Sequence, residues 1–345
     1  MLLQRPLMEK VSVVIMNHAV AAQSFQYFDH ADWLADSRIE LLLAESEDEV
    51  QVPFAAVPSC LQLASDAAAR LRDLVFLELA TPFMEEKQTA KQSLLQQRLQ
   101  ENMSLLCSDG DVAELFASRQ GERVLVAGAG PTLSTHYQWL AAQAGQHLLI
   151  AVDAALQPLV ANGVYPDIVV SIEDSPGALK FFEEVELPTV SCRLLVYFPW
   201  VHPDILNIWP GLRLAAYPDA FQCEEVCKKH PKGSLFSSGT VSHPAVDLAV
   251  KMGAAEVVLL GMDFSFPGGK SHVEGSSFIS GRDEQSNDHW ILDGHGSRVA
   301  TASNYRGFLR DLERYIALHP QVKFLNGSKQ GARIEGTSYI EGDWR

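Results

Sequence analysis

From Arg123 onwards the chain alternates apolar runs with segments of helical spacing, and this alternation restricts the possible folds more than any other feature. The predicted strands are Arg123–Ala127, His147–Val152, Ile168–Ile172, Arg193–Tyr197, Leu212–Tyr217 and Glu256–Leu260. The predicted helices between them are Ser134–Gly145, Ala155–Asn162 and Val241–Met252. Strands that are apolar on both faces and joined by helices predict an α/β fold with a doubly wound, mostly parallel, Rossmann-like sheet. Ligands of such sheets bind beyond the carboxyl ends of the strands.

The chain of 345 residues is long enough for two domains. Residues 1–87 predict a small α/β N-terminal domain, with strands at Val11–Met16 and Ile39–Ala44 and helical spacing at Val20–Leu34 and Leu61–Leu79. Residues 88–118 are polar and predict a helical linker. Residues 119–345 then form the core domain, in which the span from Gly121 to Gly336 is expected to bind a phosphate-bearing ligand, such as a nucleotide.

The net charge of −16 excludes several classes of partner. A nucleic-acid backbone or an anionic lipid surface needs a basic protein surface, so neither is expected as a partner. A bound phosphate must therefore be held locally, by backbone N–H groups and a few cations. No run of 18 apolar residues is present, so no membrane span is predicted. Five scattered cysteines without a CxxC pair, and an apolar start interrupted by Arg5, predict reduced thiols and a cytoplasmic location.

A glycine-containing loop follows the first core strand and leads into a helix. It reads Gly128-Ala-Gly130-Pro131-Thr132. Glycines allow a backbone to approach an anion closely, and a helix start offers N–H groups and the positive end of the helix dipole. The loop matches neither GxGxxG nor a Walker A sequence. It therefore predicts a phosphate contact without a dinucleotide site, and the alternative is a tight turn without a ligand.

Polar residues recur at the other strand ends, where they would share one edge of the sheet. The further candidates for the nucleotide are Asp153, Asp167, Glu173, Asp174, Ser237, Ser238, Gly239, Thr240 and Gly261. His272 is the candidate general base or phosphate contact, because histidine exchanges a proton near neutral pH. Asp263 is the second candidate catalytic residue, with a structural role in ordering its loop as the alternative.

Two further alternatives stay open for the acidic residues. Asp167 precedes its strand and fits a turn cap as well as a ligand contact. Glu173 and Asp174 fit a metal site, a ribose contact or a polar strand end. No metal is assigned, because Cys223, Cys227 and His230 offer only three of the four ligands that a closed zinc site takes.

Several of these segments resemble the core domain of Maf proteins, the motility accessory factors, a domain also described as 6-hydroxymethylpterin diphosphokinase MptE-like. The resemblance rests on Gly121–Leu133, Pro166–Ile172, Ser237–Thr240, Ala254–Phe264 with His272, and Asn326–Thr337. The segments cover roughly 215 residues in the family's order. The glycine loop and the Gly-x-Asp strand end are more distantly similar to bacterial sialyltransferases. Thr132 stands where the family usually has serine, and Glu173-Asp174-Ser-Pro176 where it commonly has Asp-Pro.

The resemblance implies a glycosyltransferase that uses a nucleotide-activated sugar, a CMP-nonulosonic acid, and a protein or glycan acceptor such as flagellin. One alternative is a pterin pyrophosphokinase that uses ATP and Mg²⁺. Mg²⁺ is the only candidate cofactor. Another alternative is an inactive nucleotide-binding scaffold. Under each interpretation, Gly130→Val is expected to abolish nucleotide binding while leaving the fold intact.

Overall fold

The structure is a computed structural model that describes residues 9–45, 48–183, 185, 193–219, 224–277 and 289–340, without the side chains of 83–90 and 224. The chain divides into two compact units, Met1–Lys87 and Gln88–Arg345. Residues 88–118, predicted as a linker, fall within the second unit. Among the described residues, no helix combines the length and the apolar character needed to cross a membrane.

The first unit contains a two-stranded parallel sheet and several helices. Its elements are β1 (Val11–Ile15), α1 (His18–Tyr27), α2 (Ala31–Leu34), β2 (Ile39–Leu43), α3 (Pro58–Gln62) and the beginning of α4 (Ala69–Glu101). β1 pairs with β2 in parallel. A small core that includes Met16, Leu61, Leu71 and Val75 holds this unit together. The side chain of Asn17 caps α1 by accepting a hydrogen bond from the N–H of Val20.

The second unit contains the main sheet. In chain order its elements are α5 (Met103–Ser108), β3 (Gly110–Asp111), β4 (Arg123–Ala127), α6 (Tyr137–Ala142), β5 (Leu148–Val152), α7 (Leu156–Ala161), β6 (Ile168–Ser171), β7 (Leu194–Tyr197), α8 (Pro203–Ile208), β8 (Leu212–Ala215), β9 (Tyr217–Pro218), α9 (Glu224–Lys229), β10 (Ser234–Leu235), α10 (Ser242–Lys251), β11 (Glu256–Leu260), β12 (Trp290–Leu292), β13 (Arg298–Ala300), α11 (Ser303–Ala317), β14 (Lys323–Asn326) and β15 (Ser338–Tyr339).

The main sheet has nine strands in the order β15-β14-β11-β4-β5-β6-β7-β8-β3. All of its pairings are parallel. The central strand β5 is buried along its whole length. The predicted doubly wound α/β architecture is therefore confirmed, and its cause is the continuous apolar character of the central strands.

The order of the strands reverses between β4 and β11. From β4 the chain adds β5, β6, β7 and β8 on one side, whereas β11 and β14 lie on the other. In open α/β sheets this switch point opens a crevice at the carboxyl ends of the two strands. The loops that follow β4 and β11 are those that carry the glycines and Asp263.

One predicted helix and one predicted strand differ from the structure in their details. The predicted helix Ser134–Gly145 is a 3₁₀ segment, Pro131–His136, followed by the short α6. The predicted strand Leu212–Tyr217 is divided into β8 and β9. β9 leaves the main sheet and pairs with β10 in a separate two-stranded sheet.

Candidate functional site

The glycine loop after β4 packs directly on the loop after β11. The N–H of Gly128 donates to the carbonyl of Leu260, and the N–H of Gly130 donates to the carbonyl of Gly261, both at 2.8 Å. A Cβ atom at Gly128 would lie 2.6 Å from the carbonyl oxygen of Gly261. Gly261 itself has a φ of +61°, a conformation that favours glycine. These glycines are therefore required by the contact between the two loops.

Gly130 is the most tightly enclosed of the loop glycines. A Cβ atom there would lie 2.5 Å from Oδ2 of Asp263 and 2.6 Å from the carbonyl oxygen of Gly261. The expectation that Gly130→Val leaves the fold intact is therefore wrong, because the valine side chain would occupy space already filled by the protein. Loss of ligand binding in that variant would not identify a phosphate position.

Asp263 joins the two loops through Thr132. Its Oδ2 accepts from the Thr132 N–H at 2.8 Å, and its Oδ1 accepts from the Thr132 hydroxyl at 2.5 Å. Burial raises the pKa of Asp263 to about 6, and the two bonds from Thr132 oppose that rise. Asp263 is only 4% exposed. Of its two predicted roles, these contacts favour the structural one over the catalytic one.

The same bonds change the predicted role of the loop backbone. The N–H groups of Gly128, Gly130 and Thr132 all donate within the protein. They are therefore not free to hold a phosphate, as the sequence argument assumed. A phosphate at this loop would have to take its hydrogen bonds from neighbouring groups.

The loop that carries His272 is attached to the glycine loop. The N–H of Val273 donates to the carbonyl of Ala129 at 2.8 Å, so the adjacent His272 lies beside the switch point. Nδ1 of His272 is 3.2 Å from the hydroxyl oxygen of Ser271. Burial lowers the pKa of His272 below its ordinary value. The half-buried imidazole is therefore neutral near pH 7 and able to accept a proton.

Two carboxyl groups lie at the neighbouring ends of β5 and β6. Asp153 is buried, and its Oδ2 accepts from the Ser171 hydroxyl at 2.7 Å. Burial, together with the charge of Glu173, raises the pKa of Asp153 to about 7. Burial and the charge of Asp174 also raise the pKa of Glu173. Asp174 lies 3.3 Å from the ammonium group of Lys91.

Asp167 lies at the opposite end of the sheet. It precedes β6, and its Oδ2 accepts from the N–H of Leu149 near the beginning of β5 at 2.9 Å. This contact is structural, but it joins the beginnings of two neighbouring strands and is not the local turn cap that the sequence left open. The structure therefore does not bring Asp167 together with the other predicted nucleotide contacts.

The turn Ser237–Thr240 precedes α10 and is held by residues that the sequence did not single out. The Ser238 N–H donates to Nδ1 of His243 at 3.1 Å, and the Ser238 hydroxyl donates to Asp311. Nε2 of His243 is 2.9 Å from the Phe308 carbonyl oxygen, to which the neutral ring donates. Burial lowers the pKa of His243 to about 4, which keeps that ring neutral.

Backbone conformation and packing explain why residue 239 is a glycine. Its φ is +82°, and a Cβ atom there would lie 3.0 Å from the Phe308 ring. No local motif identifies these contacts, because His243 and Asp311 are far apart in the chain. The apolar helical spacing around His243 was the only available signal.

The described residues contain no group of three or more His, Cys, Asp or Glu side chains arranged to hold a metal ion. Asp153, Glu173, Asp174 and Asp263, the carboxylates considered for Mg²⁺, therefore do not form such a group. Of Cys223, Cys227 and His230, to which the sequence assigned no zinc, Cys223 lies outside the described residues. Nε2 of His230 is 3.4 Å from Sγ of Cys107.

The predicted site residues thus fall into two sets. Those that are half-buried or exposed at the carboxyl edge, and so available to a ligand, are Gly130, Pro131, Glu173, Asp174, Ser237, Ser238, Gly239, Thr240 and His272. Gly128, Thr132, Asp153, Gly261 and Asp263 are buried beneath them. The buried set shapes the edge, and the first set presents polar groups on it.

One solved structure agrees with this architecture. The MAf glycosyltransferase from Magnetospirillum magneticum AMB-1 superposes with a TM-score of 0.53 at 17% identity, over 96% of this chain and 54% of that one. The chain thus spans about half the length of that protein, and the likeness shows a glycosyltransferase-like fold. The sialyltransferase CstII from Campylobacter jejuni, solved with cytidine-5'-monophosphate, matches with a TM-score of 0.35 at 13% identity, over 64% of this chain and 85% of that one.

A search of curated protein sequences found no significant match. The model of one protein family, described as 6-hydroxymethylpterin diphosphokinase MptE-like, matches residues 97–269. That match covers half of the chain and includes the glycine loop, the Ser237–Thr240 turn and Asp263. The chain therefore belongs to the MptE-like family, as its resemblance to the Maf core domain predicted.

Proposed function

We propose that the protein transfers a sugar from a nucleotide-activated donor, a CMP-nonulosonic acid, to a hydroxyl group of a protein or glycan acceptor, with flagellin as one such acceptor. The observation that carries the proposal is the attachment of the His272 loop to the glycine loop through Val273 and Ala129. This contact brings the loop of His272 to the switch point, where ligands of such sheets bind, and so supports a role there for its neutral imidazole. The glycosyltransferase-like fold and the family membership support the same assignment.

In this proposal the nucleotide phosphate lies against Gly130 and Pro131. The hydroxyl groups of Ser237 and Thr240 supply hydrogen bonds in place of the backbone N–H groups of the glycine loop, which already donate within the protein. Asp174 and Glu173 contact the ribose or the base. Since the leaving phosphate is a weak base, stabilising its charge matters more than protonating it.

His272 acts as the general base. The acceptor oxygen attacks the anomeric carbon, its proton passes to the imidazole, and the bond between that carbon and the CMP phosphate oxygen breaks. CMP leaves with the electron pair of the broken bond. We propose that the reaction occurs in the cytoplasm, in agreement with the free thiols of Cys60, Cys107 and Cys227.

The second candidate function is the pyrophosphokinase activity that gives the family model its description. It would need ATP and Mg²⁺, with carboxylates as ligands. Because the described carboxylates form no ligand group, this candidate requires the nucleotide itself to complete the metal site. A scaffold that binds a nucleotide without turnover is the third possibility.

Thermal unfolding in the presence of CMP, CDP, UDP, GDP and ATP, each with and without Mg²⁺, distinguishes the candidates. A ligand at 100 times its dissociation constant adds about 2.7 kcal/mol of stability. Stabilisation by CMP or CDP without Mg²⁺ supports the transferase, and release of CMP from a CMP-activated nonulosonic acid then tests turnover. Stabilisation by ATP with Mg²⁺ alone supports the kinase. Stabilisation by CMP without turnover of any donor supports the scaffold.

A further inference from the structure

A cleft lies at the amino edge of the main sheet, on the side opposite the proposed donor site. It has a volume of about 200 Å³. Its lining includes Leu140, Gln143, His147, Val164, Tyr165 and Arg193, and we call it the amino-edge cleft. It combines apolar walls with a small number of polar groups, as small-molecule sites do. Asp167, which the sequence placed in the nucleotide site, lies at this cleft instead.

Arg193 is the unusual residue of the amino-edge cleft. It is only 8% exposed, yet the described residues offer it no carboxylate at ion-pair distance. Its guanidinium donates one hydrogen bond, from Nη1 to the Pro166 carbonyl oxygen at 2.5 Å, and lies over the Tyr165 ring at 5.0 Å. Nε is buried and, among the described residues, has no partner. Nε has almost no accessible surface, so a ligand in the cleft reaches it only after a small movement of the side chain. Because a buried donor without a partner is unfavourable, an added acceptor favours that movement.

The surroundings of Arg193 define the acceptor. Burial lowers the pKa of Arg193, and the charge of Asp167 opposes that change. Burial and the charge of Arg123 lower the pKa of His147, which leaves its imidazole neutral. The unpartnered Nε and the adjacent Nη2 form one edge of a planar fork, and a carboxylate matches such an edge with two parallel hydrogen bonds. The apolar walls from Leu140 and Val164 suit a short hydrocarbon chain.

We propose that the amino-edge cleft is a second ligand site, which binds a small carboxylate with a short apolar tail through the Nε–Nη2 edge of Arg193. This site is separate from the donor site, because the two lie beyond opposite ends of the same strands. A protein of net charge −16 repels anions in general, so binding here depends on the buried guanidinium. The proposal does not depend on the transferase activity.

The test follows the Nε–H resonance of Arg193 by ¹H–¹⁵N NMR while the full chain is titrated with butyrate. We expect a saturable shift with butyrate and none with butan-1-ol, which has the same tail without the charge. Arg193→Lys identifies the resonance by its loss. Arg119→Lys, a change at an arginine with a 42% exposed side chain outside the cleft, leaves the response unchanged.

A second variant tests the site while keeping Arg193. Ala144 is exposed and lines the cleft, so Ala144→Glu adds a carboxylate at its mouth without burying a new charge. This variant should weaken butyrate binding by about tenfold or more, because the added carboxylate competes for the guanidinium. A correctly folded Ala144→Glu protein with unchanged butyrate affinity would overturn the proposal. So would a wild-type Arg193 resonance that does not move with butyrate, or one that moves equally with butan-1-ol.

Discussion

The carboxylate of Asp263 accepts two hydrogen bonds from a single residue, Thr132, one from its N–H at 2.8 Å and one from its hydroxyl at 2.5 Å. Thr132 follows β4 and Asp263 follows β11, the two strands between which the order of the sheet reverses. This buried contact, together with the backbone bonds of Gly128 and Gly130, therefore fixes the relative position of the loops on both sides of the switch point. The shape of the proposed donor site depends on this contact.

Replacing Thr132 with valine tests the contact between the loops. Thr132→Val removes the hydroxyl donor while keeping the side-chain shape, and should lower the free energy of unfolding by about 1 to 3 kcal/mol. A double-mutant cycle with Asp263→Asn should give a coupling energy of about 0.5 to 3 kcal/mol by denaturant unfolding. Thr135→Val is the matched control, since that hydroxyl donates to the Thr132 carbonyl and not to Asp263. Additive effects of Thr132→Val and Asp263→Asn would contradict the direct contact.

Gly130→Ala tests whether the glycine is required by packing. The new methyl group would lie 2.5 Å from Oδ2 of Asp263, so the loops must separate. We expect a loss of about 1 to 3 kcal/mol in the free energy of unfolding without any ligand present. Gly177→Ala is the control, because Gly177 is exposed and the methyl group added there would lie 3.8 Å from the Ser175 hydroxyl oxygen, an ordinary contact. Equal stabilities for the two variants would show that packing does not require Gly130, and would favour the interpretation that it contacts a ligand.

The sequence predicted the sheet well because the apolar strands carry the signal locally. The reason why the loop requires glycine was not predictable from the sequence. Gly130 packs on Gly261 and Asp263, which lie more than a hundred residues away in the chain. A glycine that faces a phosphate and one that faces a carbonyl group look identical in sequence. Asp167 was different, because its position before Ile168 already places it at the amino end of the strand.

The side chains behind the Ser237–Thr240 turn illustrate the same limit. The sequence indicated the serines and the threonine, but the acceptor for the Ser238 N–H is a ring nitrogen of His243, in the first turn of α10. A histidine among apolar residues gives no sign of this role. Its neutral state follows from burial, which is a property of the folded chain.

The buried carboxyl of Asp153 predicts a pH dependence of stability. Burial and the charge of Glu173 raise its pKa to about 7, against about 3.9 in an unfolded chain. Because the folded pKa is raised, this contribution to stability is fully present below about pH 4 and is lost as the pH rises through 7. Between pH 4 and pH 7, the free energy of unfolding measured with a denaturant should fall further for the wild type than for Asp153→Asn. The difference between the two proteins should be roughly 2 to 4 kcal/mol.

Asp219→Asn controls for the general effect of removing a carboxylate, since its side chain is 50% exposed. That variant should follow the wild-type pH dependence. Equal changes in stability between pH 4 and pH 7 for the wild type and Asp153→Asn would show that folded and unfolded chains bind the Asp153 proton alike, and would contradict a raised pKa in the folded protein.

His272→Asn tests the general base once a donor that turns over is known. General-base catalysis typically contributes 10² to 10⁴ in rate, so kcat should fall by about that factor while the affinity for CMP stays nearly constant. In the wild type, kcat should decrease as the pH falls through the pKa of His272, which burial lowers below its ordinary value. This decrease should be absent from the residual activity of the variant. His295→Asn, at an exposed turn, is the matched control and should retain the wild-type kcat and pH profile. An unchanged kcat in His272→Asn would remove the histidine from the reaction and leave the proton to be accepted by another group at the carboxyl edge.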